Sequence, residues 1–495
     1  MRARIVLFGA LMLVGGCRTH RATTSGPSPL VLSPAEQDTA AAMAHFALGS
    51  YYEQDRGVNS PDAIREFELA SEYDPGRHRI HSKIAVGYLV RRQPSKAVAV
   101  LEESCRRNPG VLKPLVDLAI TCQIAGKLDQ ALGSVKKAIA LVPSESALYA
   151  TAAKIHIHRE NDEAAIDVLQ RGLDAAYSKD LVNLITTRGQ QLLGLQNLEG
   201  ALRYFIVLRD DGREVVSPAL HNLIGQIYLE TKQPELAAAA FHLAGKGSHP
   251  PPETFIKLGA TQMFLGREEA AVASLEKGRA MYPKNTRLLF SLALAYNAVE
   301  QVEDAYLTLV SIKALTDPDP AKKLSMEFYI TYGATADHAG RTLEAEEAFK
   351  RCVELYPDAD QALNYLAYLW AEADDNVDQA MDYVTRALKI EPGNAAYIDT
   401  LAWVHYRKGN YTAARDEMKK ALEIMPDDPV INEHMGDVYD ALDDPEKARH
   451  YWSHSVMQDP DNRFAVWKLG AAGTDVAPIL RRARKAQKRK MKEQD

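Results

Sequence analysis

The sequence has few aromatic residues, few cysteines and no long apolar run. Phe, Trp and Tyr make up 7% of the 495 residues, and the four cysteines include no CxxC pair. A zinc ribbon or a thioredoxin-like redox site is therefore unsupported. The apolar run Ile5–Val14 has ten residues, whereas a membrane-spanning helix needs roughly 20.

Motifs that carry chemistry are also missing. The chain has no Gly-rich phosphate loop, no HExxH and no nucleophile elbow. His156 and His158 are two positions apart, and on a helix such positions point to different faces. His78 and His81 have usable spacing but lack a third ligand. We therefore expect no catalytic residue, no metal and no cofactor, and the sequence predicts a protein that is not an enzyme.

Three cysteines lie within the body of the chain, at Cys105, Cys122 and Cys352. Cys105 and Cys122 fall on neighbouring predicted helices, so a disulfide between them is one interpretation. The other is that all three are buried free thiols that pack as small apolar residues.

A ladder of prolines marks an internal repeat. Pro392, Pro426 and Pro460 recur at one constant interval, and Pro357 precedes Pro392 by that interval plus a single position. Small and apolar residues recur at fixed distances before each proline. The clearest copy consists of Leu401-Ala402, Ala414, Met418, Ala421 and Pro426.

Weaker copies of the same pattern extend towards the N-terminus, and about twelve units cover residues 41–463. Within a unit the apolar positions follow helical spacing. Small residues allow two helices to pack closely, and a proline ends the second helix because it cannot continue the hydrogen-bond ladder. One such unit cannot bury its apolar face alone, so the units must stack.

The interval and its small residues resemble the tetratricopeptide repeat, whose period is about 34 residues. The resemblance implies an all-α fold, a right-handed superhelical solenoid of about twelve helix-turn-helix repeats. We expect it to be most regular in 325–463 and more irregular in 145–250, with a capping segment and tail in 464–495. Turn-rich breaks at 210–213, 245–252 and 316–320 are either plain connectors or a hinge between two blocks.

In the tetratricopeptide family, the first helix of each repeat lines a concave groove that holds a protein or peptide. The resemblance places these residues in the groove of the last units: Asn364, Tyr368, Asp399, Trp403, Tyr406, Arg407, Glu433, Asp437 and Asp440. Trp403 has two interpretations, a contact for a partner or a packing residue between helices. The lysine, asparagine and arginine pattern that some family members use to bind a peptide carboxylate is not reproduced.

The N-terminus is typical of a targeting segment. Arg2 and Arg4 precede the apolar run, and Val14-Gly-Gly-Cys17 resembles a bacterial lipobox. The resemblance implies a signal peptide at 1–16, a lipid on Cys17, and an anchor in a bacterial membrane, with the outer membrane facing the periplasm as the expected one. An ordinary secretory signal is the alternative. Residues 17–40 are rich in Ser, Thr, Gly and Pro near their start and predict a flexible tether.

The C-terminus is strongly basic, although the net charge of the chain is -7. The basic residues of this tail are Arg481, Arg482, Arg484, Lys485, Lys488, Arg489, Lys490 and Lys492. Such a tail is either a solvated helix or a contact for anionic lipid or acidic protein. No nucleic-acid partner is expected for an exported protein.

Together these features favour a membrane-anchored scaffold or adaptor that binds protein or peptide partners in envelope assembly, secretion or pilus biogenesis. An accessory regulatory subunit of a cell-envelope enzyme is the alternative. The repeat motif is specific for the fold and only weakly informative about function.

Overall fold

The repeat pattern produces a fold made of paired helices. The computed structural model describes residues 32–210, 217–316 and 324–494. These residues form 26 α-helices and no strand. Each odd-numbered helix from α1 to α23 packs against the even-numbered helix that follows it, which gives twelve helical pairs. The expected all-α repeat fold is confirmed.

The chain divides into two compact units, at residues 211 and 212, within the first predicted break. The first unit contains five helical pairs. Its helices are α1 Pro34–Arg56, α2 Pro61–Tyr73, α3 His78–Val90, α4 Pro94–Arg107, α5 Leu112–Ile124, α6 Leu128–Leu141, α7 Ser146–His158, α8 Asp162–Ala175, α9 Lys179–Gly194 and α10 Leu198–Asp210.

The second unit contains seven pairs and two further helices. Its helices are α11 Pro218–Glu230, α12 Pro234–Ala244, α13 Pro252–Phe264, α14 Glu268–Met281, α15 Thr286–Ala298, α16 Val302–Thr316, α17 Met326–His338, α18 Thr342–Leu355, α19 Asp360–Ala373, α20 Val377–Ile390, α21 Ala395–Arg407, α22 Tyr411–Ile424, α23 Pro429–Ala441, α24 Pro445–Gln458, α25 Arg463–Ala471 and α26 Ala477–Gln494.

Helix ends follow directly from local sequence. Helices α20, α22 and α24 each end two positions before a proline of the ladder, where continuation would cost a hydrogen bond and cause a clash. The next helix begins at a capping residue. The carboxylate of Asp428, for example, accepts hydrogen bonds from the amides of Val430 and Ile431, both at 2.9 Å. Backbone amides in the first turn of a helix have no acceptor within the helix, so this carboxylate provides one.

The two helices of a pair pack closely, which explains why the first helix of a repeat carries a small residue. An added Cβ on Gly436 would lie 2.3 Å from the ring of Trp452, and one on Gly189 would lie 2.6 Å from the ring of Phe205. The glycine of the first helix therefore lets the aromatic ring of the second helix approach its backbone. The same arrangement occurs in both units, so the same packing rule builds both.

One predicted boundary needs correction. Helix α1 begins at Pro34, inside the segment 17–40 that the sequence predicts to be a tether. The reason is a capping box, in which Ser33 and Glu36 bond to each other's backbone amides. The remainder of the predicted signal peptide and tether, including Cys17, lies outside the described residues. So do most of the turn-rich segments at 210–213 and 316–320.

The three cysteines of the repeat region are free thiols, and Cys122 and Cys352 are buried. Burial raises the pKa of each of the three thiols to about 11. Cys122 and Cys352 therefore pack as the second interpretation states, because a protonated thiol is a small apolar group, whereas Cys105 is only half-buried.

Candidate functional site

Four of the nine residues predicted for the groove line an open cleft in the second unit. The cleft has a volume of about 520 Å³ and forms where α19, α21 and α23 run side by side and α25 closes one end. Its lining residues are Tyr368, Glu372, Trp403, Val430, Glu433, His434, Asp437, Asp459, Asp461, Asn462, Arg463, Phe464 and Lys468.

The repeat spacing brings these residues together. Asp437 follows Trp403 by one interval of the proline ladder, and Tyr368 precedes Trp403 by that interval plus a single position. They therefore occupy equivalent positions on the first helices of three successive pairs. Those helices contact each other, α19 with α21 and α21 with α23. Side chains far apart in sequence thus share one surface because the repeat stacks them in register.

An aromatic stack forms the floor of the cleft. The ring of Trp403 stacks on the ring of Tyr406, with centroids 4.6 Å apart, and on the imidazole of His434, with centroids 4.2 Å apart. Trp403 is only 7% exposed. Its indole N–H is buried and has no hydrogen-bond acceptor among the described residues. The ring therefore packs between helices and also lines the cleft, and its contact with a partner stays a prediction.

A buried ion pair supports this stack. The Nδ1–H of His434 donates to both carboxylate oxygens of Asp399, at 3.0 and 3.1 Å, and both side chains are buried. Burial alone would disfavour the charged imidazole. The carboxylate of Asp399, its hydrogen bonds, and the nearby Asp437 and Glu433 outweigh burial, so the pKa of His434 lies above its ordinary value.

A lysine on α25 closes one wall of the cleft. The Nζ of Lys468 lies 2.6 Å from Oε1 of Glu433 and 2.6 Å from Oδ2 of Asp437. Asn462 donates to the other oxygen of Glu433 at 2.7 Å, and the indole N–H of Trp452 donates to Asp437 at 2.9 Å. Burial would lower the pKa of Lys468, but the two carboxylates outweigh it and raise that pKa. Hydrogen bonds from three side chains therefore hold the two carboxylates of this wall in place.

Four of the predicted groove residues line the cleft, namely Tyr368, Trp403, Glu433 and Asp437. Asp399 and Tyr406 support it from behind through the contacts described above. The remaining three do not line it. Arg407 donates to the backbone carbonyl of Glu372 at 2.9 Å, Asn364 is half-buried, and Asp440 is exposed on α23.

Sequence reasoning missed His434, Lys468 and Phe464. A signal for them exists, because Leu469-Gly470 repeats Met435-Gly436 after one further interval of the ladder. Helix α25 is thus equivalent to the first helix of a further repeat, and Lys468 is equivalent to His434. The repeats predicted from the sequence end at residue 463, so α25 is not recognised there as a continuation of the repeat pattern.

The basic tail forms helix α26, which contacts α24. Its Ala483 is buried, and Ile479 and Leu480 pack against the core cluster that contains Trp452. Arg484 lies 3.9 Å from the carboxylate of Asp461 at the rim of the cleft. The predicted tail residues Arg481, Arg482, Lys485 and Lys488 are exposed. The side chains of Lys490 and Lys492 lie outside the described residues.

The first unit presents a different surface at equivalent positions. Val86 and Val90 on α3 are 45% and 53% exposed, and Ile120 and Ile124 on α5 are 45% and 61% exposed. Each isoleucine follows its valine by one repeat interval, and α3 contacts α5. These four residues, the apolar patch, lie on adjacent first helices.

The described residues contain neither a candidate metal cluster nor a candidate membrane span. No group of three or more His, Cys, Asp or Glu side chains in residues 32–210, 217–316 and 324–494 is arranged to hold a metal ion. Over the same ranges, no helix combines the length and apolarity needed to cross a bilayer.

Comparison with known proteins identifies the repeats. Family models described as tetratricopeptide repeat match residues 336–395 and 405–472. Both segments are tetratricopeptide repeats. The second match extends past residue 463 and includes α25, in agreement with the register of Leu469-Gly470.

Relatives share part of the chain. A tetratricopeptide-repeat-containing protein of Pseudomonas aeruginosa is 25% identical over 44% of this chain and 36% of its own length. The mitochondrial import receptor subunit TOM70 of Homo sapiens is 21% identical over 55% of this chain and 45% of its own length. The chain thus spans less than half the length of these relatives.

Solved structures with similar helical repeats include a tetratricopeptide repeat protein from Parabacteroides merdae. It is 15% identical, with a TM-score of 0.42, and the match covers 52% of this chain and 99% of that one. The Cut9-Hcn1 hetero-tetramer of the APC/C is 14% identical, with a TM-score of 0.39, over 91% of this chain and 98% of that one.

Proposed function

We propose that this chain is a protein-interaction scaffold that binds a partner in the cleft of its last repeats. Tetratricopeptide-repeat proteins are generally non-catalytic adaptors that bind protein or peptide partners. The observation that carries the proposal is the convergence of Tyr368, Trp403 and Asp437, from the first helices of three successive pairs, on one open cleft.

The chemistry of the cleft supports a polypeptide ligand. Trp403 supplies an unsatisfied indole N–H, and a backbone carbonyl is a suitable acceptor for it. Phe464 lines the cleft and is 72% exposed, which offers apolar area to a partner. Aromatic side chains of this kind are enriched at interface hot spots.

A matched pair of variants tests the proposal. Phe464→Ser removes the exposed ring at the cleft, and Phe264→Ser removes a ring on α13 that is 79% exposed and does not line the cleft. The full-length protein is isolated with its bound partners under native conditions from cells that produce it. We expect Phe464→Ser to reduce recovery of a defined partner at least about tenfold, which corresponds to about 1.4 kcal/mol.

Phe264→Ser should leave that recovery unchanged. Equal recovery with both variants and with the unaltered protein would contradict a role for the cleft. Circular dichroism of both variants verifies that neither ring is needed for helix formation.

We further propose that the scaffold is held at a bacterial membrane by a lipid on Cys17. The sequence Val14-Gly-Gly-Cys17 and the preceding basic and apolar residues support this. Several acyl chains anchor a protein far more firmly than one. Mass spectrometry of the mature protein should show a lipid adduct on Cys17, and Cys17→Ala should release the protein from the membrane. Unchanged processing and membrane association in Cys17→Ala would contradict the anchor.

A further inference from the structure

The rim of the cleft carries more negative than positive charge. Five carboxylates line it against three basic side chains, Arg463, Lys468 and His434, and His434 is paired with Asp399. Lys468 is committed to Glu433 and Asp437. In the described part of the chain, the carboxylates of Glu372 and Asp459 form no ion pair.

The chain itself shows that the cleft accepts cations. Lys468 is bound between two carboxylates at 2.6 Å from each. Arg484 approaches Asp461 at the rim, at 3.9 Å, but these two side chains are 63% and 81% exposed. An exposed pair of this kind contributes little, so a stronger cation can displace Arg484 from the rim.

An independent feature of the cleft points to the group that accompanies the cation. Trp403 is more than nine-tenths buried, lines the cleft, and has an indole N–H without an acceptor among the described residues. A free cation has no acceptor to offer, whereas a residue within a peptide brings a backbone carbonyl with its side chain. The exposed ring of Phe464 provides an aromatic face on which a planar cation can stack.

We propose that the cleft binds an extended segment of a partner protein through an arginine side chain of that segment. This inference rests on the proposed function and adds the chemistry of the ligand. The guanidinium contacts the rim carboxylates of Glu372, Asp459 and Asp461, and the peptide backbone accepts from Trp403. Arginine suits this site better than lysine because its planar group both stacks on aromatic rings and bonds two carboxylates at once.

The test uses the full-length chain and two peptide libraries with randomised flanks. One library carries a central arginine and the other carries citrulline, which has the same shape without the charge. Binders are selected from the arginine library, and their dissociation constants are measured by fluorescence anisotropy. We expect arginine-to-citrulline replacement in the selected peptides to weaken binding at least about tenfold, because a hydrogen bond to a charged group is lost.

Variants of the chain locate the effect. The triple rim variant Glu372→Gln, Asp459→Asn, Asp461→Asn should abolish the preference for arginine over citrulline. The control Glu347→Gln, Asp382→Asn, Asp416→Asn makes the same change of net charge at sites outside the cleft. It should retain the preference, which separates specific recognition from general attraction between opposite charges.

Three outcomes would overturn the inference. The selected peptides could bind equally with citrulline, or both triple variants could lose the preference alike. Alternatively, peptides could bind only when Arg484→Gln frees the rim, which would make the basic tail of the chain the occupant. Loss of partner in Phe464→Ser with no arginine preference would leave the proposed function standing and reject only this ligand.

Discussion

The two units of the chain follow the same packing rule but present different surfaces on their first helices. In the first unit, α3 and α5 expose the apolar patch of Val86, Val90, Ile120 and Ile124. In the second unit, equivalent helices carry aromatic rings, carboxylates and Lys468 around a cleft. Most residues that pack one helix on the next therefore differ from those that face outwards, although Trp403 does both. The fold leaves the chemistry of this outer face free to vary from repeat to repeat.

The largest expected effect tests the shared packing rule. Gly189→Val in the first unit and Gly436→Val in the second should each lower the local stability by about 3 kcal/mol, since the new side chain would meet the ring of Phe205 or Trp452. Native-state hydrogen exchange, read in the affected helical pair, measures the loss.

Gly133→Ala is the control for these variants. Gly133 lies within α6, and an added Cβ would meet nothing within 4 Å. It should stabilise its helix by about 0.5–1 kcal/mol. A large loss in only one of the two valine variants would break the claim that both units are packed by the same rule.

The next effect is a difference in pH dependence between two buried histidines. His81 in the first unit lies 3.1 Å from the hydroxyl of Ser71. Burial lowers its pKa from 6.5, although the backbone at Arg77 and the charge of Glu103 oppose this and Arg107 and His78 reinforce it. A lowered pKa means that the unfolded chain binds a proton more readily, so the stability contributed here is present above about pH 6.5 and is lost as the pH falls.

His434 should behave in the opposite way. Its pKa is raised, since Asp399, Asp437 and Glu433 outweigh burial. Its contribution is therefore complete below about pH 6.5 and is lost as the pH rises through the raised pKa. Each unit of pKa shift corresponds to about 1.4 kcal/mol.

Single glutamine variants separate the two histidines. His81→Gln should destabilise its neighbourhood more at high pH than at low pH, and His434→Gln should do so more at low pH than at high pH. Hydrogen exchange at several pH values, corrected for the intrinsic exchange rate, provides the measurement. The same direction of pH dependence at both positions would show that Asp399 does not control the charge of His434.

The smallest effect concerns the outer faces themselves. Ile124→Gln on the apolar patch should change the local stability by less than about 0.5 kcal/mol, because Ile124 is 61% exposed. Phe464→Ser at the cleft should be as mild. A loss above about 1 kcal/mol in either variant would mean that the face contributes to stacking and is not free to vary.

The sequence predicts the fold well because the fold depends on a period. The proline ladder marks where α20, α22 and α24 end, and the small residues mark where helices cross. The period also brings Tyr368, Trp403 and Asp437 to one surface, since residues at equivalent positions of stacked repeats are neighbours. The predicted tether extends too far because the capping box at Ser33 lies outside the repeat pattern.

Contacts between repeats could not be predicted from the period. The pairing of Asp399 with His434 and of Lys468 with Glu433 depends on side-chain rotamers and on distances between helices. The contact of Arg484 with Asp461 depends on where α26 packs, and no repeat position determines that. Whether the indole N–H of Trp403 has a hydrogen-bond acceptor likewise depends on the positions of all neighbouring acceptor atoms, which the repeat pattern does not determine.

Crosslinking from two positions distinguishes the cleft from the apolar patch as the surface that binds the partner. A photo-crosslinking amino acid replaces either Val430, which lines the cleft and is 45% exposed, or Val86 on the apolar patch, which is also 45% exposed. The full-length protein is irradiated in cells that produce it, and its adducts are identified by mass spectrometry. We expect a defined partner to crosslink from position 430 and this adduct to disappear when Phe464→Ser is added. A partner that crosslinks from position 86 and not from position 430 would contradict a binding site in the cleft.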